Sequence, residues 1–493
     1  MDKIVYLCLI ITYLIKPSNT LCTLRDDGLC FFTIICDDPS IITKTPYCEH
    51  PDIFITLTIN NSTTNNISAN FFASKFDSWV RMFNAIGYNW TYVQNSAFNN
   101  FKKVLYIDIS NNNIKSIGSA FRDLKDLDFL NMSRNILEEI NPETFLISNN
   151  TNRLYLLDLS YNRLTHLSEN IFIHLYNLKK LHLQGNRITT IQKEYSKYLK
   201  SLDYLNLCCN NIRTLNLKYM KMLKELNLSF NGMKHFNISG LISLETIDLS
   251  HNNIKHFRFD YIDEIPYLGK LDLSHNQITK LSRVSERKVN KYSYDIKPHL
   301  IKLDLDNNNI SYIDNEFFIT FEYISYLNLS FNEITEFDPG TFKNVKVLKY
   351  LNISGNNLKL NDETFNGLNK TEVIDISNNN ISLLEAIFFK DCGVLKRIVA
   401  DRNQIRYVDM HKFMEIVPKL TRITLLNNPN NDLGRGVFYK CLQLFIDIVN
   451  TILLFILLFG TLFILIYIGI YRRGIFVYVL KCLRYLIVRN RVK

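Results

Sequence analysis

The sequence predicts an α/β solenoid, a horseshoe whose concave wall is a parallel sheet, held to a membrane by one C-terminal transmembrane helix. Three observations predict it: an L-x-x-L-x-L-x-x-N-x-L pattern recurring through the middle of the chain, a charge-free apolar run near the C-terminus, and a shorter apolar run at the N-terminus. The composition agrees. Among 493 residues there are only 16 Gly and 10 Pro against 47% apolar residues, so the chain is rich in core and poor in linker.

The repeat is the strongest of the three. It is shared by YLLDLSYNRLTHL from Tyr155, KLDLSHNQITKL from Lys270 and YLNLSFNEITEF from Tyr326. Its Asn falls at Asn112, Asn135, Asn162, Asn186, Asn210, Asn231, Asn252, Asn276, Asn308, Asn332, Asn356, Asn379, Asn403 and Asn428, 14 units with most gaps at 21 to 25 residues. This is the leucine-rich-repeat signature. The L-x-L pair alternates in and out, as a short strand requires, and each unit adds one strand to the concave wall. The Asn stands where the chain leaves the strand. Its amide both donates and accepts, so a stacked row such as Asn162, Asn186, Asn276, Asn308, Asn332 and Asn356 satisfies the backbone groups of the turn. One unit cannot stand alone. Four or five buried aliphatic side chains at roughly 1.5–3 kcal/mol each do not offset about 1–2 kcal/mol per ordered residue, so stability belongs to the stack.

Phe98, Phe121, Phe145, Phe172, Phe342, Phe365 and Phe413 recur in the returning segments and are expected to fill the convex side. The units ending at Asn231 and Asn252 lack this Phe, where curvature is open to change. The array is placed at 104–430, after degenerate repeats at 51–103 in which Leu57-Thr58-Ile59 and Phe83-Asn84-Ala85 sit at strand positions without the Asn. Asn276 to Asn308 is 32 residues, and the surplus at 282–298 is basic and polar. A projecting loop is the simplest reading; a ligand-binding or protease-sensitive loop is the functional one.

The ends give the topology. Ile4–Ile15, after Lys3 and before Ser18-Asn19-Thr20, has the length of a signal-peptide core, so 1–20 reads as a signal cleaved near Thr20; a short buried element is the other reading. Ile452–Ile470 holds 19 residues without a charge, enough at about 1.5 Å each to cross most of a ~30 Å hydrocarbon layer. A membrane-proximal segment at 431–447, a span at 448–471 and a basic tail at 472–493 follow from it. Seven positive charges and no acid lie in that tail, out of a net +10 for the whole chain. They place the C-terminus in the cytosol and the N-terminus outside or in the lumen, as a single-pass type I protein, expected at the plasma membrane. Little charge is left for the body of the chain, which excludes a nucleic-acid footprint there.

Cys22, Cys30, Cys36 and Cys48 cluster at 21–50 as an N-terminal cap. In an oxidising compartment four Cys imply two disulfides in one of three connectivities; a zinc site lacks the paired C-x-x-C spacing. Cys208-Cys209 reads as idle thiols, a vicinal disulfide or an intermolecular link. Sequons at Asn61, Asn66, Asn89, Asn131, Asn227, Asn237 and Asn369 fit a secretory route, although those inside L-N-L-S strands are also plain consensus.

No Gly-rich phosphate loop, H-E-x-x-H or G-x-S-x-G occurs, so neither enzyme chemistry nor a cofactor is expected. The column Asp108, Asp158, Asp248, Asp272, Asp304 and Asp375 reads as ordinary, solvated residues between inward leucines. His251 and His275 hold the same place in adjacent repeats, within about 5 Å, and form a candidate pH or metal patch with Asp248 or Asp272. The better candidate is a set of concave aromatics: Tyr106, Phe129, Tyr155, Tyr161 and Tyr204, then Phe230, then Tyr326, Phe331 and Tyr350.

Motif, Cys cluster and single span together resemble the ectodomain and anchor of Toll-like and related insect leucine-rich-repeat receptors. The resemblance implies an extracellular protein or glycan ligand and a receptor-ectodomain partner. The chain departs from it in having no Toll/interleukin-receptor domain after the span and a reduced C-terminal Cys cap, near Asn427-Asn428-Pro429. Two functions remain: a ligand-binding cell-surface glycoprotein (adhesion molecule, co-receptor or decoy), or a structural coat glycoprotein such as a large insect DNA virus would carry, which the AT-rich residue usage also fits.

Overall fold

The computed structural model describes residues 22–28, 31–36, 54–59, 66–67 and 80–429, except 123, 147–152, 169, 192–193 and 284–297, together with 449 and 451–454. Its spine is one 18-stranded sheet whose strands follow chain order. Cys22–Gly28 runs antiparallel to Phe31–Cys36 and opens the sheet; from Phe31–Cys36 onward every neighbour is parallel. Phe54–Ile59 and Val80–Asn84 take their places in this ladder, with Leu57 opposite Phe83 and Phe83 opposite Ile107. The two stretches that lack the Asn still form strands, because the alternating inward residues survive there.

From Tyr106–Asp108 to Arg422–Thr424 each strand of this sheet is only three residues long. The middle residue points inward, as at Leu130, Leu157, Leu181 and Leu205, all at most 2% exposed. Its two neighbours face the concave side. The alternation that the L-x-L pair demands is therefore realised once per turn.

The returning segments close the core from behind. All seven predicted Phe are buried, and several touch the next turn: Phe98 on Phe121 (5.2 Å), Phe365 on Phe389 (4.9 Å) and Phe389 on Phe413 (5.8 Å). Tyr195 takes the place after Phe172, edge-on at 5.3 Å, and its hydroxyl donates to the Leu167 carbonyl. Where the Phe is missing, Leu217 and Ile238 hold its place, nine residues before the middle strand residue, and are buried in its stead.

The long gap leaves the sheet intact, since Lys270–Asp272 pairs directly with Lys302–Asp304. Behind it, Phe259 meets Phe317 at 4.8 Å across the interrupted turn. The turns on either side pack directly on each other; residues 284–297 lie outside the described residues. So do most of the predicted span and all of the basic tail and the signal segment. Val449 and Thr451–Leu454 are described, helical and exposed, and no helix among the described residues is long and apolar enough to cross a membrane.

Candidate binding surface

Every turn leaves the sheet by the same route, and its hydrogen bonds explain its sequence. Asn135 is representative. Its Nδ2 donates to the Ile109 carbonyl of the preceding turn (3.0 Å) and to Met132 of its own (3.1 Å), while its Oδ1 accepts from the Ile114 amide (3.0 Å). Asn162, Asn186, Asn276, Asn308, Asn332 and Asn356 repeat this pattern, as does each later ladder Asn through Asn428. In the degenerate turn before Asn112 the ladder position holds Tyr88, whose backbone amide donates to Asn112 Oδ1 at 2.8 Å.

The residue between the two inward aliphatics caps the same turn. Asp108, Asp158, Asp248, Asp272 and Asp375 each accept from the backbone amide two residues on, at 2.9 Å. Asn131, Asn227 and Asn352 do likewise. This corrects the reading of the column as merely solvated. Asp108 and Asp304 are 5% and 8% exposed. The acid is there because the amide after the strand has no partner in the sheet, and an Asx side chain supplies one. At Asp304 burial, and then the neighbouring Asp272 charge, hold the carboxyl above its usual range against the pull of Lys302.

The residue before each ladder Asn is left-handed. Tyr161, Phe230, His251, His275 and Phe331 have φ between +50° and +55°, and Gly185 and Gly355 hold the same place at +68°. Bulky residues rarely adopt this conformation; the ladder bonds on either side enforce it. The corner throws its side chain toward the next turn. A Cβ at Gly185 would sit 2.5 Å from the Tyr161 ring, and one at Gly355 2.6 Å from Phe331, so those glycines make room for the aromatic before them.

This geometry sorts the predicted aromatics into two rows. Tyr106, Phe129, Tyr204, Tyr326 and Tyr350 share one strand column. Within it Tyr106 stacks on Phe129 (centroids 4.3 Å) and Tyr326 on Tyr350 (4.9 Å), while Tyr204 leans on His182 (4.8 Å). Lys302 lies 4.8 Å over Tyr326. Tyr161, Phe230 and Phe331 belong instead to the left-handed corner row, about half exposed. Tyr155 is a second correction. Leu156, not Tyr155, is in register with Phe129 and Lys180. The double Leu shifts the apparent start of the motif by one place, and Tyr155 lines a shallow open depression of about 450 Å³ with Asp128, Phe129, Arg153, Asn177 and Lys179. His182 and Lys302 were missed by the sequence reading, although taking the residues that flank the inward Leu of each strand, His182 after Leu181 and Lys302 before Leu303, would have found both.

His251 and His275 meet as expected, but as a stack. Their rings are 4.0 Å apart and 10° from parallel, with Phe230 stacked on His251 at 3.9 Å. Ring nitrogens in parallel planes do not converge on one ion, which overturns the metal half of that expectation. Among the described residues no group of three His, Cys, Asp or Glu is placed to hold a metal. Burial, and then His275, lower the pKa of His251, while Asp248 and Asp272 oppose the shift. His275 Nε2 is 3.8 Å from Asp306.

Cys208 and Cys209 are free thiols, so of the three readings the vicinal disulfide is absent. The first two strands bring Cys22 opposite Cys36 in backbone register; Cys30 and Cys48 lie outside the described residues. Of the sequon residues, Asn89, Asn237 and Asn369 are exposed. Asn131 donates its amide to Asp108 (2.9 Å), and Asn227 accepts from the Ser229 hydroxyl (2.7 Å). Asn66 lies in the short strand Asn66–Ile67, and Asn61 lies outside the described residues.

Comparison with known proteins agrees with this geometry. A leucine rich repeat family model matches residues 89–137, 133–188, 176–233, 232–278 and 298–358, together just over half of the chain. Lumican of Gallus gallus is 28% identical over 333 residues, covering 65% of this chain and 78% of lumican. A leucine-rich-repeat protein of Leptospira interrogans superposes with a TM-score of 0.58 at 23% identity, covering 76% of this chain and 84% of that one. A chain of the glycosylated Toll–Spatzle complex of Drosophila gives 0.54 at 17% identity, covering 84% and 67%. At these identities the structural likeness is one of fold.

Proposed function

We propose, from the premise that this chain belongs to the leucine-rich-repeat family, that its concave wall captures an extracellular protein or glycan ligand and catalyses nothing. The observation that carries this is the pair of aromatic stacks, Tyr106–Phe129 and Tyr326–Tyr350, the first and last aromatics of the strand column. Each ring sits on a backbone fixed by sheet bonds on both sides. Rigid, half-buried aromatics lose little entropy on binding, and large aromatic surfaces anchor most protein interfaces. Toll, a chain of similar fold, is seen in complex with Spatzle, which supports a protein ligand here.

In this reading the chain is a single-pass glycoprotein of the cell surface, acting as adhesion molecule, co-receptor or decoy, with the basic tail in the cytosol. The test is a binding titration on cells displaying the full chain, against candidate receptor ectodomains. Saturable binding that falls with Tyr204→Ala and Tyr326→Ala but survives Tyr407→Ala, a 72% exposed control outside the column, supports it. Binding indifferent to Tyr204 and Tyr326, or no saturable binding to any of them, leaves the structural coat glycoprotein as the better account.

A further inference from the structure

One core position is out of character. The inward residue two places before each strand is Val104, then Leu or Ile at every later turn, with one exception: Thr371, between Leu348 and Leu395. Thr371 is fully buried, and its Oγ1 finds no hydrogen-bond partner. Thr424, 5% exposed, shares this lack, but the other threonines buried as deeply as Thr371 differ. The hydroxyl of Thr144 donates to the Gly118 carbonyl, that of Thr341 to Asp338, and that of Thr364 to the Asn361 side chain. A buried hydroxyl without a partner is destabilising, and valine has the same shape without it. The fold thus gains nothing from oxygen at position 371.

Two residues earlier stands Asn369, exposed beside the exposed Lys370, just after the left-handed Gly367 (φ +94°). Asn369-Lys370-Thr371 is an N-glycosylation sequon, and its hydroxyl is read on the extended chain before folding buries it. We propose that Asn369 carries an N-linked glycan and that Thr371 is retained in the core as the recognition element for that transfer. This rests on the reading that the chain enters the secretory route. In the transfer, Asn369 Nδ2 bonds to the anomeric carbon of a lipid-pyrophosphate-linked oligosaccharide. The bond from that carbon to the pyrophosphate oxygen breaks, the lipid pyrophosphate leaves, and one amide proton passes to the transferase. The concave sequons need no glycan to explain them. Asn131 and Asn227 sit where an Asx cap is required, and Ser133 and Ser229 are the residues they cap.

The full chain is expressed in secretory cells, and each sequon is read by enzymatic deglycosylation in heavy-oxygen water followed by peptide mass spectrometry. Asn369 is expected to be occupied. Thr371→Ser keeps the glycan. Thr371→Val loses that single glycan and, compared after deglycosylation, raises the denaturation midpoint. Asn369→Gln loses the same glycan without raising it. Asn369 found bare while Asn89 or Asn237 is occupied overturns the proposal alone. Every sequon bare overturns the secretory reading and this proposal with it. A Thr371→Val variant less stable than the parent shows that the hydroxyl serves the fold, and also overturns it.

Discussion

At Asn308 one amide closes several backbone gaps at once: it donates to the Leu273 and Leu305 carbonyls (2.9 and 3.1 Å) and accepts from Ile278 (3.0 Å). Asn308→Leu strands all three in a dry interior. We expect a loss of about 1–3 kcal/mol in urea denaturation, and a neutral result would remove the ladder from the account of stability. The corner row makes a different demand. At Gly355 φ is +68° and the Phe331 ring occupies the room a Cβ needs, so Gly355→Ala should destabilise and Phe331→Ala should partly rescue it. His251 adds a pH dependence. Its folded pKa lies below the ordinary value of about 6.5, so the unfolded chain takes up a proton that the folded chain resists. Stability is complete above that value and is lost as pH falls through it. His182 is displaced the same way by burial, against Asp158. Thermal midpoints should therefore drop between pH 7.5 and pH 5. His251→Phe, which extends the Phe230 stack, should shrink the drop, and an unchanged profile would refute the role given to this ring.

The elements with most to lose are the returning segments on either side of the long gap. Arg283 donates to Asp263 (2.5 Å) and to the Thr320 hydroxyl, and its guanidinium lies 5.0 Å over Phe321. Thr320 in turn donates to Asp263 (3.0 Å). The clamp ties the returning segment Phe259–Glu264 to residues 317–321 across the interrupted turn. Arg283→Met should speed amide hydrogen exchange in both segments while leaving the strands Lys270–Asp272 and Lys302–Asp304 protected. Uniform exchange across the array would mean the clamp is ornamental. On the concave side the element proposed to bind ligand is the Tyr326–Tyr350 stack. Tyr326→Ala should weaken ligand binding about tenfold or more with little change in stability, since that ring already leaves part of its surface to solvent.

For the whole molecule, turns touch their neighbours, with contacts that skip a turn at the interruption between Phe259 and Phe317, so stability is close to a sum of local interfaces. Leu205→Ala in the middle should cost about 2–5 kcal/mol. Its effect should appear in the adjoining turns at Leu181 and Leu226 and fade by Tyr106 and Tyr350. A single cooperative collapse of exchange protection from end to end would contradict the solenoid energetics. The antiparallel Cys22–Gly28 strand closes the first end with a different pairing geometry, so that no further parallel turn is templated there.

The fold was legible because its rule is local: period, L-x-L alternation and the Asn are read one unit at a time, and each unit takes up its hydrogen bonds the same way. Even the turns without Asn, near Leu57 and Phe83, were visible from alternation. Register was less legible. At Tyr155-Leu156-Leu157 either aliphatic suits the motif, and only pairing with Phe129 and Lys180 decided which residue faces the wall. The corner row was not legible at all, because a left-handed φ is imposed by bonds to the turns above and below. Sequence alone thus determined that His251 and His275 are neighbours. Tertiary structure decided that they stack rather than chelate, and that the acidic column caps backbone amides besides facing water. The physical reason is that both depend on where a side chain is aimed, which the stacked turns fix and a single repeat does not.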